Sequence, residues 1–182
     1  MHNFLLKKYY FINKFDSLHL KKINEKVSII YRNYEKKTNI KLLKKIKFFC
    51  NKNGFEFFLS NNFKLALKLN LSGVYIPSFN KEIIPNCYKK KINFKLIGSV
   101  HNIYELNTKK MQQVDEIFIS PVFKKKTKIL GVYGFLKLKR NSNFKNIALG
   151  GINKRNLKIL DMLKADGFAA IKYFDKKKGP YK

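Results

Sequence analysis

Short runs of apolar, β-branched and aromatic residues alternate along the chain with longer stretches where apolar positions recur every three or four residues among lysines. The short runs predict strands at 9–13 (YYFIN), 27–32 (VSIIYR), 55–60 (FEFFLS) and 73–78 (GVYIPS). Four more are predicted at 94–100 (FKLIGSV), 116–120 (EIFIS), 146–151 (NIALGG) and 167–173 (GFAAIKY). Most are apolar on both faces, as parallel strands covered by helices must be. Between them, Thr38 is placed to cap a helix whose Leu42, Leu43, Ile46, Phe49 and Cys50 share one face, with a stop at Asn53-Gly54. A short helix falls within 61–70. Asn153 is placed to cap another that turns Leu157, Leu160 and Leu163 inward.

Eight strands alternating with helices predict an α/β chain folded as a (β/α)8 TIM barrel. A doubly wound open sheet is the alternative for such a pattern. The chain has 182 residues, short against the ~250 typical of the barrel. The first and sixth connections are therefore expected to be short, and the last helix reduced or missing. One domain spanning 1–182 is expected, with its core at 9–174 and a basic tail at 175–182.

Charge changes the picture less than its size suggests. The formal net charge is +29, which points to a polyanionic partner. Of 40 basic residues, however, only Arg32, Arg140 and Arg155 are arginine, the residue suited to bidentate phosphate and base contacts. The lysines are spread through the chain, which is also rich in Asn, Ile, Phe and Tyr; AT-rich coding accounts for much of that composition. Cys50 and Cys87 stand far apart without a C-x-x-C pair, so neither a disulfide scaffold nor a structural metal is expected, and Cys50 reads as a small buried hydrophobe. No apolar run approaches the ~18 residues of a membrane span. A cytoplasmic protein without a membrane partner is expected.

In either architecture the ligand site lies at the carboxyl ends of the strands. Those ends carry Arg32, then Ser60-Asn61-Asn62, then Ser78 and Asn80, then Ser99 and His101. Thr127 and Lys128, Gly150-Gly151 and Lys172 follow the last three strands. The set is polar and cationic with almost no carboxylate, which suits an anionic ligand and offers no paired acid and base. In "ALGGINKRN" a strand ends in two glycines and a helix follows, an arrangement that lets backbone N–H groups approach a phosphate. Gly151 and Ile171-Lys172 would then share one phosphate, with Lys172 adding charge. A plain strand-to-helix turn explains the same residues. His101 reads as a hydrogen-bonded structural histidine, with an acid–base role as the alternative. Tyr9, Tyr10, Phe57 and Phe58 read as core residues rather than stacking platforms for bases.

Taken in order, these pieces resemble the thiamine-phosphate synthase family and its relatives of the thiazole tautomerase (TenI-like) type, from about Tyr9 to Phe174. "VSIIYRNY" is similar to the family's Q-x-R-x-K strand end, "FFLSNN" to L-I-I-N-D, and "LALKLNLSGVYIPSFN" to L-A-x-x-x-x-A-D-G-V-H-L-G-Q-x-D. "LIGSVHNIYEL" resembles I-G-x-S-x-H followed by Glu, and "DEIFISPVFKKKTK" resembles D-Y-I-G-x-G-P-I-F-x-T-x-T-K. "IALGGINKRNLKILDMLKADGFAAIKYF" resembles the A-I-G-G-I…N…A-D-G-V-A-V-x-S ending.

The resemblance implies the barrel fold. It also implies a Mg2+-assisted reaction that joins a hydroxymethylpyrimidine diphosphate to a thiazole phosphate, giving thiamine phosphate and pyrophosphate. By resemblance Arg32, Ser99 and Lys128 hold the pyrimidine diphosphate, with Ser60 at the position of a substrate-binding asparagine. Thr127, Gly151, Ile171 and Lys172 hold the thiazole phosphate. The departures are specific: Asn61 and Asn80 stand where the family has two Mg2+-binding aspartates, Ile30 replaces its glutamine, Tyr34 its lysine, and Lys172 the last-strand serine. Pro121 occupies the position of the tautomerase-type histidine, as in the synthases. Three functions are compatible with these residues. The first is a thiamine-phosphate synthase-like enzyme of thiamine biosynthesis. The second is a family member without catalysis that binds a phosphorylated ligand or a protein. The third, a lysine-rich nucleic-acid-binding protein, is disfavoured by the scattered lysines and scarce arginine.

Overall fold

A computed structural model describes residues 6–23, 25–34, 39–83, 93–123 and 130–175. Eight parallel strands close into a barrel in sequence order: β1 (Lys7–Ile12), β2 (Ser28–Tyr31), β3 (Glu56–Ser60), β4 (Gly73–Ile76), β5 (Lys95–Val100), β6 (Glu116–Ile119), β7 (Lys145–Leu149) and β8 (Gly167–Ala170). Closure of β8 onto β1, with Tyr9 opposite Ala169, excludes the open doubly wound sheet. The strands stop up to three residues before their predicted ends. Ser78, Gly150-Gly151 and Ile171 to Tyr173 therefore lie in loops at the barrel mouth rather than in the ladder.

Helices α1 (Ser17–Lys21), α2 (Ile40–Lys52), α3 (Phe63–Lys68), α4 (Ile103–Met111), α5 (Gly131–Arg140) and α6 (Leu157–Met162) pack outside. The first connection is short, as expected. The sixth is not: α5 runs ten residues because Phe135 and Leu138 present a buried face. The α2 cap is Asn39 rather than Thr38. Its side chain accepts from the Leu42 N–H, while Thr38 lies outside the described residues. Asn153 caps a single 3-10 turn (Lys154–Asn156) that leads into α6, sharing reciprocal hydrogen bonds with Asn156. Among the described residues no helix follows β8, where Ile171 to Phe174 form a turn.

Alternation along the strands sorts the side chains into two buried layers. Tyr10, Ile12, Ile29, Phe57, Leu59, Val74, Leu96 and Ile117 face the helices together with Cys50 of α2. Burial pushes the Cys50 thiol up to about 12, so it stays a neutral hydrophobe. Tyr9, Phe11, Ile30, Phe58, Tyr75, Ile97, Phe118, Ile147 and Ala169 fill the barrel interior. Edge-on aromatic contacts join Tyr9 to Phe118 at 4.9 Å and Phe11 to Tyr75 at 5.1 Å. Packing, not stacking on a ligand, is the role of these rings.

The same alternation separates charge from ligand chemistry. Two residues below the aromatic layer, Lys7, Ser28, Glu56, Lys95 and Glu116 close the amino-terminal end. Lys7 donates to Glu116 (2.8 Å) and lies 3.5 Å from Glu56, and Ser28 donates to Glu56 (2.8 Å). Tyr9 and Lys95 complete the network through Glu116 and Glu56, respectively. Burial alone pushes Glu56 up, but hydrogen bonds from Lys95 and Ser28 and the charge of Lys7 outweigh it and hold the carboxyl below its usual 4.5. A carboxyl depressed in the folded state stabilises the fold above its unfolded value and loses that contribution as pH falls through the folded value. Thermal melts are therefore expected to show stability declining below about pH 4.5, and Glu56→Gln is expected to flatten that decline.

Candidate functional site

One step of alternation above the aromatic layer lies the mouth. Arg32 follows Ile30, Ser60 follows Phe58, Ser99 follows Ile97, and Ile171 follows Ala169, each two residues on and so facing inward. Four of the predicted site residues thus belong to one ring because their strands stay in register. The Arg32 guanidinium lies 4.7 Å above the Phe11 ring, a cation–π contact.

Tyr75 comes up from the aromatic layer beside the Arg32 and Ser99 side chains, which favour its charged form. Burial pushes its hydroxyl up to about 12 against their opposing pull. It therefore stays neutral. Ser99 is 3% exposed, its hydroxyl beside Tyr75. Arg32 and Ile171 line one cavity of about 640 Å3 with Phe11, Asn13, Lys14 and Tyr34, at the ends of β1, β2 and β8.

Tyr34 sits on the rim, its hydroxyl 2.7 Å from the Ser60 hydroxyl and its ring edge-on to Phe79 at 5.8 Å. The residue replacing a lysine therefore supplies an aromatic wall. Asn61 and Asn80 meet each other: the Asn80 amide donates to Asn61 Oδ1 at 2.7 Å. Lys109 is fully buried beneath them. Its ammonium donates to the Pro77 carbonyl, the Asn80 carbonyl and Gln112 Oε1, each at 2.9 Å.

On the far side, register pairs Leu149 with Ala169, so Gly151 and Ile171 leave neighbouring strands at one level. Gly150 (φ 97°) and Gly151 (φ 77°) adopt left-handed backbone. A side chain at Gly150 would meet Pro121 Cα at 2.9 Å, which binds this loop tightly to the one after β6. Val122 and Phe123 donate across that seam to Leu149 and Gly150 carbonyls, and Asn156 holds the Gly151 carbonyl at 2.9 Å. Lys172 follows Ile171 in an exposed turn. Thr127 and Lys128 lie outside the described residues.

His101 lies off this ring's chemistry. Its Nδ1 donates to the Ser120 carbonyl at 2.6 Å, and its backbone N–H donates to Glu105. Asp115 and Asp166 sit at the opposite end, where they accept the Leu96 and Asn146 N–H groups. Among the described residues no three His, Cys, Asp or Glu side chains cluster as metal ligands. The two positions that the resemblance assigns to Mg2+ do not fit it: they carry neutral amides bonded to each other over a buried ammonium, where magnesium needs charged oxygen.

Sequence reasoning did not find Tyr75, Lys109 or Gln112. Tyr75 sits in a uniformly apolar strand. Lys109 follows Leu106 by three on the buried face of α4, a spacing signal hidden by the surrounding lysines. Among the described residues no helix is long and apolar enough to cross a membrane.

Comparison with known proteins agrees with the barrel fold. The family model described as thiamine monophosphate synthase matches residues 18–174. The thiamine-phosphate synthase of Pelagibacter ubique is 30% identical over 171 residues, covering 89% of this chain and 82% of that protein. Among solved structures, the fold resembles the thiamine phosphate pyrophosphorylase of Pyrococcus furiosus with a TM-score of 0.71 at 19% identity, over 93% of this chain and 86% of that one. It also resembles the enzyme of the same name from Bacteroides thetaiotaomicron, with a TM-score of 0.62 at 17% identity, over 96% of this chain and 89% of that one. Matched across most of its length and built as the same barrel, the chain belongs to the thiamine monophosphate synthase family.

Proposed function

We propose that the protein couples hydroxymethylpyrimidine diphosphate with thiazole phosphate, forming thiamine phosphate and releasing pyrophosphate. In that reaction the bond from the pyrimidine methylene to the diphosphate oxygen breaks, the pair of electrons leaves with pyrophosphate, and the thiazole nitrogen bonds to the methylene carbon. The observation that carries this reading is the ring at the mouth: Arg32, Ser60 and Ser99 face inward beside a glycine loop and Ile171, with no carboxylate among them. Such a ring attracts two phosphorylated ligands and stabilises a departing diphosphate by positioned charge. Arg32, held over Phe11, takes the diphosphate. Gly151, Ile171 and Lys172, with Thr127 and Lys128 of the preceding loop, take the thiazole phosphate.

A second reading is favoured by the Asn61–Asn80 hydrogen bond. A family member that binds phosphorylated ligands without turning them over would tolerate loss of both aspartates. Melting the protein with thiazole phosphate and with pyrophosphate tests the site common to both readings. Each ligand is expected to raise the melting temperature, and Lys128→Ala is expected to reduce the thiazole phosphate shift. No shift with either ligand contradicts both readings. A salt-steep affinity for random DNA would instead favour a nucleic-acid partner.

A further inference from the structure

The amide pair at the mouth has a defined orientation. The Glu82 backbone N–H donates to Asn80 Oδ1 at 2.8 Å, and a backbone donor admits only the oxygen there. Asn80 Nδ2 is therefore the atom that faces Asn61, and it donates to Asn61 Oδ1 at 2.7 Å. Both amide oxygens are thus engaged within the protein. What Asn61 turns to the mouth is its Nδ2, with two N–H donors, from an exposed side chain.

Beneath the pair, Lys109 makes three hydrogen bonds to three oxygens, matching the three donors of an ammonium. Gln112 adds bonds to the Asn80 and Glu82 carbonyls at 3.1 and 2.7 Å. Burial pulls the Lys109 ammonium down to about 8, so at neutral pH and below the loop after β4 is pinned from below by a positive charge. Glu105, on the same helix, is the carboxylate that faces this charge. A divalent cation placed at the pair would meet N–H donors in front and an ammonium behind. A phosphate oxygen would meet attraction from both.

We propose that the Asn61–Asn80 pair is a direct phosphate-oxygen contact, held in place by Lys109 as a positioning residue, so that the diphosphate group binds at this mouth without a divalent metal. This rests on the phosphate-binding reading above and reverses the ligand polarity of the two positions. The cation becomes part of the fold, and the amides bind the anion.

Calorimetric titration of the full chain with sodium pyrophosphate in EDTA tests it. Pyrophosphate is expected to bind, added Mg2+ not to tighten the binding, and Mg2+ alone to give no saturable heat. Asn61→Asp, at an exposed position whose left-handed backbone (φ 55°) aspartate also tolerates, is expected to weaken pyrophosphate about tenfold in EDTA, with Mg2+ restoring it. Lys109→Met is expected to weaken pyrophosphate similarly while affinity for inorganic phosphate at the glycine loop stays unchanged, a split that general loosening of the barrel would not produce. Pyrophosphate binding that requires Mg2+, or an Asn61→Asp variant that binds as the parent does, overturns the proposal. If inorganic phosphate still binds in that case, the proposed function stands; if it does not, that reading fails as well.

Discussion

Arg32→Ala is expected to lower kcat/KM for thiamine phosphate formation about 100-fold, with the melting temperature nearly unchanged. The guanidinium is half-buried at the mouth and lies over Phe11 at 4.7 Å, beside Tyr75. Two charge-assisted hydrogen bonds to a diphosphate, at ~1.5 kcal/mol each, together correspond to roughly that factor. The fold loses only the cation–π contact, on the order of 0.5–1 kcal/mol. Arg32→Lys is expected to recover little, because a lysine cannot present the planar fork that reaches two oxygens at once. Steady-state kinetics against each substrate separates the two contributions. A rise confined to KM for the pyrimidine diphosphate identifies ground-state binding, whereas an equal fall in kcat and kcat/KM identifies charge developing on the leaving group.

At the other end of the barrel, Glu116→Ala is expected to cost about 3 kcal/mol of stability, seen as a fall of roughly 6–12 °C in melting temperature. Glu116 is 4% exposed and accepts from Lys7 and from the Tyr9 hydroxyl. Its removal leaves that hydroxyl buried without a partner, at about 1–3 kcal/mol, and leaves Lys7 with the longer 3.5 Å pairing to Glu56. Lys7 retains some water contact, which holds the total near the lower end of the range for a broken buried pair. Glu116→Gln keeps an acceptor for Tyr9 and is expected to lose about half as much. Activity per folded molecule is expected to be unchanged, since an aromatic layer separates this network from the mouth. Reduced specific activity in the folded fraction would mean that the two ends of the barrel are coupled.

The barrel was legible because its strands are buried on both faces, so each stands out as an uninterrupted apolar run. The ring of Arg32, Ser60, Ser99 and Ile171 was legible for the same reason, since a period of two carries each inward-facing residue to the same level. Helix α5 was harder to read. "GVYGFLKLKR" carries two glycines that suggest a turn, yet Gly134 is needed where a side chain would strike Leu130 at 2.5 Å. The basal network was not legible either. Lys7, Glu56, Lys95 and Glu116 look like ordinary strand-edge charges until closure of the barrel brings them together across 109 residues of sequence. Lys109 was hidden by composition, because one buried lysine in a lysine-rich chain leaves no local trace. The Asn61–Asn80 contact needed the third dimension as well, since the resemblance identifies the two positions but not that they bond to each other.

The run "KKKTK" at 124–128 divides by resemblance into Thr127 and Lys128, which align with phosphate-binding positions, and Lys124 to Lys126, which replace mostly uncharged residues. With a positive charge already built in at Lys109, metal replacement does not have to come from that run.

The central claim is that this mouth joins two phosphorylated heterocycles, and product formation tests it most directly. Purified protein is incubated with hydroxymethylpyrimidine diphosphate and thiazole phosphate, in EDTA and in Mg2+, and thiamine phosphate and pyrophosphate are both quantified. The account expects the two products in equal amounts, in EDTA as well as in Mg2+, and their loss in Arg32→Ala. Absence of thiamine phosphate under both conditions, from protein that binds both ligands, would contradict it.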